Sequence, residues 1–286
     1  MQELYERYRR LLFTLAYQLT GTVADAEDAV QDVFVKIYEI ELERLAEPKA
    51  YLCKMVTNRC RDLLKSARKR RERYFGEWLP EPVSTAGDDS LEAIVRGELL
   101  SYAMLVLLEK LSPAERAAFV LREAMGFDYA AIADIVGRNE AACRKLISRA
   151  RAKMGISPDE PVRPEAASEE WVRRFVAALE TGSVDTVVSM LATDVEVVSD
   201  GGGKVVAAVQ PIRAPAPVAR FLLGLAKQIT RPGSGFTYGL ADINGQPSLL
   251  FRSPAGPDTI GLVHVEDGKL SSLYFIRNPD KLAPFA

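Results

Sequence analysis

Residues 111–153 read LSPAERAAFVLREAMGFDYAAIADIVGRNEAACRKLISRARAK. Two short helices are written in its second half, Tyr129 to Val136 and Asn139 to Arg151, broken by Gly137. Ile132, Ala133, Val136, Cys143 and Leu146 fall where two helices meeting at a tight turn need apolar or small side chains. The pattern is that of a helix-turn-helix. The other face of the second helix carries Asn139, Glu140, Ala141, Arg144, Lys145, Ser148, Arg149 and Arg151. In a major groove, Arg, Lys, Asn and Ser side chains reach base edges or phosphates. A basic amphipathic helix alone is more often a solvated face, so the DNA reading depends on the rest of the chain. Just upstream, Ser112-Pro113-Ala114-Glu115 has the form of a capping box with proline at the first helical position.

The chain has 286 residues, enough for two domains or three small ones, and its 48% hydrophobic and 27% charged content suits folded domains with their own cores. A net charge of -2 hides local basicity. Between Lys54 and Arg73 lie Arg59, Arg61, Lys65, Arg68, Lys69, Arg70 and Arg71, opposed only by Asp62 and Glu72. Cys53, Cys60 and Cys143 fall in expected helices with no metal-ligand spacing, so they read as reduced core residues, and no metal or cofactor site is expected. No cationic apolar leader and no apolar run long enough to cross a bilayer is written, which predicts a cytoplasmic protein without membrane contact.

The first segment reads as helical. Leu11, Leu12, Leu15, Ala16 and Leu19 form one stripe, Gly21 ends it, and Thr22 with Asp25 opens the next helix. There Ala26, Ala29, Val30, Val33 and Ile37 recur at helical spacing, leaving Asp25, Glu27, Asp28 and Asp32 outside. The helix dipole accounts for Asp25 and less well for Asp28 and Asp32. Glu41 to Pro48 reads as a loop. Ala50 to Lys69 resumes as a helix with Leu52, Cys53, Val56, Cys60, Leu63 and Leu64 inside and Asn58, Arg59, Arg61, Asp62, Lys65 and Arg68 outside.

The order DAEDAVQDVF, loop, NRCRDLLKSARKRR, linker, then SPAER and GFDYAAIADIVGRNEAACRKLISRARAKM resembles the bacterial extracytoplasmic-function sigma factors over residues 1 to about 154. The resemblance implies a region 2 domain at 1–72, a linker at 73–91 and a region 4 domain at 92–154. It implies that Asp25, Glu27, Asp28, Gln31, Asp32 and Phe34 meet core RNA polymerase. Asn58, Arg59, Asp62, Lys65 and Arg68, with the 41–48 loop, would engage the promoter near -10, where melting needs an unstacked base and a basic surface for the single strand. The helix from Asn139 would read the -35 duplex. One departure is Arg138, at a turn position often apolar.

The linker holds Trp78, Leu79, Pro80, Glu81 and Pro82, a semi-rigid stretch whose Trp78 either covers a core or meets a partner. Asp89 or Ser90 is expected to cap a helix from Leu91 to Lys110. A tether, 155–167, precedes a last domain at 168–286: helices over Trp171 to Leu191 broken at Gly182-Ser183, a hairpin of Val195–Ser199 with Val205–Val209, a helix at Val218–Ile229, and strands at Phe236–Ile243, Ser248–Ser253, Thr259–Glu266 and Lys269–Ile276. That order predicts an α+β cone with an antiparallel sheet. Asp200, Gly201, Gly202, Gly203 and Lys204 hold more glycine than a tight turn requires, which points to a close contact. Asn278, Pro279, Asp280, Lys281 and Leu282 follow the last strand as a disordered end or a docking tail.

This part resembles a SnoaL-like domain. WLPEP, DGGGK and NPDKL together resemble the sigma-factor group with a fused SnoaL-like tail, so the expected architecture is multidomain: two all-α sigma domains and an α+β cone. The expected function is promoter recognition with core polymerase, modulated by intramolecular contact of the C-terminal domain with the sigma domains or the WLPEP linker. An alternative is a SnoaL-like enzyme or small-molecule sensor fused to a DNA-binding module, with a ligand in the cone; another is a helix-turn-helix repressor that needs no polymerase. The single histidine, His264, would need a carboxylate such as Asp194, Asp200 or Asp242 for acid/base work, and nothing in the sequence joins them, so no catalytic residue is expected.

Overall fold

A computed structural model describes residues 2–37, 47–71, 74–85, 100–157, 162 and 167–286. It has two units. One takes in the described parts of 1–72, 88–100 and 104–164, and the other those of 73–87, 101–103 and 165–286.

The first unit begins with α1 (Gln2–Thr20), α2 (Val23–Ile37) and α3 (Pro48–Arg71). The α1 stripe is buried at Leu12, Leu15, Ala16 and Leu19, facing Ala26, Ala29, Val30 and Val33 of α2 and Leu52, Val56 and Cys60 of α3. Thr22 Oγ1 accepts the Asp25 amide at 3.3 Å. Pro48 opens α3 rather than closing a loop, since a proline is tolerated in a first helical turn. Residues 41–46, the expected cap at Asp89 or Ser90 and the start of the helix expected from Leu91 lie outside the described residues.

Then come α4 (Tyr102–Leu108), whose first two residues belong to the second unit, α5 (Pro113–Glu123), α6 (Tyr129–Val136) and α7 (Glu140–Met154). Gly137 ends α6 at φ 70 and Asn139 caps α7, making the turn. Cys143, Ile147, Ala150 and Met154 are the buried residues of α7. Ile147 replaces the expected Leu146, which is half-buried, because the stripe runs i, i+4, i+7 from Cys143. The helix also continues past Arg151 to Met154. Within this unit α6 packs on α3: Lys54 Nζ lies 2.9 Å from Asp134 and Arg61 Nη1 donates to Val136 O at 3.2 Å.

The second unit contains α8 (Glu169–Thr181), α9 (Val184–Ser189) and α10 (Pro215–Thr230) on one face of a six-stranded sheet. Gly182 in a left-handed conformation and the Ser183 cap make the α8–α9 break. The strands are β1 (Leu191–Asp200), β2 (Ile212–Arg213), β3 (Thr237–Ile243), β4 (Gln246–Ser253), β5 (Gly256–Glu266) and β6 (Lys269–Ile276), in the order β2-β1-β6-β5-β4-β3. Two expectations are corrected. The sheet is mixed, because β1 and β6 are parallel. Residues 205–209 form no strand: Val205 N turns back to Gly201 O, and β1 pairs instead with Ile212 and Arg213. Val195, Val197, Leu249, Val263, Leu273 and Phe275 face the helices and form the cone core with Phe175, Val218 and Leu222. Tyr274 alternates to the opposite face, where the ring of Tyr102 packs 5.5 Å from it.

Glu115 anchors the α5 cap. Its carboxylate accepts the Ser112 amide at 2.9 Å and Lys153 Nζ at 2.7 Å. Burial alone would raise its pKa, but the bonds from Lys153 and Ser112 outweigh it and hold the group below its ordinary 4.5. A lowered folded-state pKa contributes stability that is complete above the unfolded value and disappears as pH falls through the lowered one. Urea midpoints measured between about pH 3 and pH 6 should therefore fall on acidification in the wild type, and Glu115→Gln should flatten that dependence. Equal slopes in the two proteins would show that Glu115 contributes none of it.

Candidate nucleic-acid interface and linker dock

On α7, Ala141, Arg144, Lys145, Ser148 and Arg149 are exposed on one stripe. Three of the other expected residues are engaged within the protein. Asn139 Oδ1 accepts the Ala142 amide at 2.8 Å as the cap, Glu140 pairs with Arg144 at 3.1 Å, and Arg151 Nη2 donates to Glu123 at 2.8 Å and is largely buried. Arg144 also lies 3.9 Å over the Tyr129 ring. The open cations of the stripe are thus Lys145 and Arg149.

Along α3, Asn58, Asp62 and Lys65 are exposed at i, i+4 and i+7, with Asp62 and Lys65 2.8 Å apart. Nothing is described of the Arg68 side chain. Arg59 Nε sits 2.6 Å from Asp32, so a residue expected at DNA pairs with one expected at polymerase. Glu27, Gln31 and Phe34 flank a groove of about 720 Å³ between α1 and α2, whose other walls include Tyr5, Arg9 and Phe13. Asp28 is exposed beside it, and Asp25 is half-buried at the start of α2.

The three motifs of the linker and cone converge within the second unit. Asp200, at the end of β1, is 0% exposed. Its Oδ1 accepts Tyr74 OH at 2.6 Å and the Gly202 amide at 3.0 Å; its Oδ2 accepts the Leu79 amide at 3.1 Å and Lys281 Nζ at 2.7 Å. Lys281 also donates to Leu79 O and lies 4.3 Å over the Trp78 ring. The tail is ordered as α11 (Pro279–Leu282), capped by Asn278, and a short 3₁₀ turn follows at Ala283–Phe285. Asn278 Nδ2 donates to Tyr74 OH at 2.9 Å, and Lys204 pairs with Asp280 at 2.6 Å. Leu79, Pro80 and Pro82 are buried, and Tyr102 OH donates to Pro80 O at 2.7 Å. Burial, then the adjoining Asp200 carboxylate, pushes the Tyr74 phenol up.

Each glycine of the 200–204 turn has its own reason. A Cβ at Gly201 would stand 2.6 Å from Val205 O, one at Gly202 2.6 Å from the Asn278 side chain, and one at Gly203 3.1 Å from Phe75 Cβ. Further along, the linker closes the sheet's edge: Thr85 N donates to Asp242 O and Asn244 N to Val83 O, both at 2.8 Å, and Asn244 Oδ1 accepts Val83 N. Tyr74 and Asn244 were not picked out from sequence. Asn244-Gly245 is a two-residue hairpin signal, with Asn244 at φ 53; nothing local marks Tyr74.

His264 lies on β5 with its Nε2 2.9 Å from Glu266, not from Asp194, Asp200 or Asp242. Its neighbour Val263 faces the cone core, so alternation turns His264 away from it. Among the described residues no cluster of three His, Cys, Asp or Glu side chains is set for a metal ion. No described helix is long and apolar enough to cross a membrane.

Two helical segments, each with its own basic helix and one of them a helix-turn-helix, define a protein of the DNA-binding class, whose second unit is an α+β cone. The sigma-70 region 2 family model matches residues 4–70, and that of sigma-70 region 4 matches 101–154. The chain is 40% identical to the ECF RNA polymerase sigma factor SigJ of Mycobacterium tuberculosis over 97% of its own length and 91% of SigJ's. The crystal structure of Mycobacterium tuberculosis SigJ matches over the whole of both chains, with a TM-score of 0.82 and 36% identity. The chain belongs to the extracytoplasmic-function sigma factors of RNA polymerase.

Breaking a buried ion pair by removing one partner leaves an uncompensated charge, at a cost of about 3–5 kcal/mol. Lys281→Met keeps the apolar stem but strands Asp200, and should lower the thermal midpoint of the cone markedly. Adding Asp200→Asn to it should cost less than the sum of the two single changes. Additive losses would show that the two groups are not coupled.

Proposed function

We propose that this sigma factor meets its promoter at two places and that its C-terminal domain governs initiation by holding the connection between them. The stripe Ala141, Arg144, Lys145, Ser148 and Arg149 supports reading of the -35 duplex by α7. The exposed row Asn58, Asp62 and Lys65 on α3, with the expected 41–48 loop and Arg68, supports engagement of the -10 element. Glu27, Gln31 and Phe34 at the α1–α2 groove, with the exposed Asp28, support docking to core polymerase; of the other acids expected there, Asp25 is half-buried at the start of α2 and Asp32 pairs with Arg59 of α3. The protein works where core polymerase and DNA are, in the cytoplasm, and carries out no covalent chemistry of its own. The position of His264 outside the cone core supports that reading over a SnoaL-like enzyme.

The observation that carries the regulatory proposal is the buried Asp200 carboxylate, which receives donors from the linker at Tyr74 and Leu79 and from the tail at Lys281. Two linked DNA contacts gain avidity only when the connection lets both be made together. Residues 74–85 lie between the two DNA-binding modules in sequence, so fixing them on the cone limits the lengths and directions that connection can take. The cone interior also offers room for a small molecule, the sensor variant of the same function.

Lys145→Ala and Arg149→Ala should each weaken binding to -35 duplex and lower the slope of log affinity against log salt by about 1. Unchanged affinity and slope would remove those residues from the interface. In reconstituted transcription with core polymerase, Asp200→Asn should change promoter output while leaving duplex affinity of the full chain within about twofold. Output equal to wild type would overturn control through the dock.

A further inference from the structure

The cone holds a cavity of about 420 Å³, in the range of pockets for small organic ligands. Phe221, Leu225, Phe251 and Phe275 give it an apolar, largely aromatic wall. A smaller void of about 50 Å³ shares Leu225, Phe251 and Phe275 and extends the apolar space toward Phe175 and Leu222. The polar groups of the large cavity include Asp258, Thr259 and Arg277, and among the described lining residues Arg277 is the one cation.

Arg277 is held from three sides, but its pairing with a carboxylate is a long one. Its Nη2 is 3.4 Å from Asp258 Oδ2, an oxygen that also accepts the Thr259 hydroxyl at 2.7 Å. Its Nε donates to Thr259 Oγ1 at 3.2 Å and its Nη1 to the carbonyl of Val206. The side chains of Arg277 and Asp258 are 31% and 26% exposed, so the guanidinium is partly out of water yet reachable. An apolar chamber with one half-buried guanidinium at its edge matches a bulky apolar molecule bearing one anionic group, because a carboxylate or sulfonate pairs with the planar fork in two parallel bonds.

The same arginine ties the cavity to the linker dock. Its backbone amide donates to Asp200 O at 2.7 Å, and the neighbouring Asn278 amide does so at 2.9 Å. Its side chain holds the 205–209 loop at Val206, which is itself 87% exposed. That loop follows directly from the glycine turn, where Gly203 closes on Phe75 of the linker.

We propose that the cone cavity binds a small organic acid with a bulky apolar body, whose anionic group takes Arg277 from the Val206 carbonyl and thereby loosens the linker at Asp200. The inference rests on the linker-dock reading for its consequence and on the cavity alone for its ligand. A ligand moves such an equilibrium only through unequal affinity for the two states, and loss of the Val206 bond on binding is the source of that inequality.

The test uses the full chain and two fluorescent probes with one body. These are 1-anilinonaphthalene-8-sulfonate, an aromatic anion, and N-phenyl-1-naphthylamine, which lacks the sulfonate. The anion should bind the wild type roughly tenfold more tightly than the neutral probe, and Arg277→Gln should erase that difference. Leu225→Trp, which fills the chamber, should abolish binding of both. Arg277→Lys, which keeps the charge and loses the fork, serves if Arg277→Gln does not fold, and should fall between. Amide hydrogen exchange over residues 74–85 should quicken roughly threefold or more when the anion is bound and not in Leu225→Trp. Equal binding of both probes, or binding indifferent to Leu225→Trp, overturns the ligand site. Binding as expected with unchanged exchange over 74–85 overturns the coupling. Neither result touches the dock itself, which stands or falls on the Asp200→Asn transcription assay.

Discussion

A carboxylate with no access to water is the constraint on which the second unit depends. Asp200 is tolerable there only because its two oxygens receive four donors, one of them a lysine ammonium. Those donors come from the linker, the glycine turn and the tail. Leu79 must stay extended enough to point its amide inward, Gly202 must lack a side chain, and the tail must form a helical turn to present Lys281. The ion pair and its hydrogen bonds are far more specific than the apolar contacts around them. Apolar burial would accept many placements of the linker, whereas this carboxylate accepts only one that satisfies every lone pair.

Placement of this kind explains why the three motifs occur together. The tail cannot cap without Asn278, whose side chain both accepts the Asp280 amide and donates to Tyr74. A Cβ at Gly202 would collide with Asn278, and one at Gly203 would crowd Phe75, with both residues at a positive φ that disfavours any side chain. The linker, extended by Pro80 and Pro82, runs from this cluster to the far edge of the sheet. There Val83 and Thr85 satisfy backbone groups of Asp242 and Asn244 that an edge strand would otherwise leave open. One short segment therefore joins the buried centre of the cone to its most exposed strand.

Local physics made the helical half legible. Gly137 between two apolar stripes, Ser112 three residues before Glu115, and Gly182 before Ser183 are each complete signals within a few residues, and each appears as a cap or turn. Where the reading slipped, a distant group decided. Val205 to Val209 has the β-branched content of a strand, yet Val205 returns to Gly201 and Arg277 claims the Val206 carbonyl, so tertiary bonds override propensity. Leu146 and Ile147 differ by one position, and only the stripe set by Cys143 and Ala150 chooses between them. Asp200 itself reads as the start of an Asp-Gly turn; its burial depends on donors from positions 74, 79 and 281, which no local pattern connects.

The exposed face of α3 uses charge in the opposite way. Arg59 with Asp32 and Lys54 with Asp134 are ion pairs in reach of water, and pairs of that kind contribute about 0–1 kcal/mol each. They keep the polar face of α3 satisfied in the protein alone without committing it. A phosphate or a partner surface that offers a comparable charge replaces such a pair at little cost, whereas the Asp200–Lys281 pair has no substitute waiting in solvent. Shallow electrostatics on the exposed face of α3 and deep electrostatics at Asp200 thus separate charges that change partners at little cost from a charge that does not.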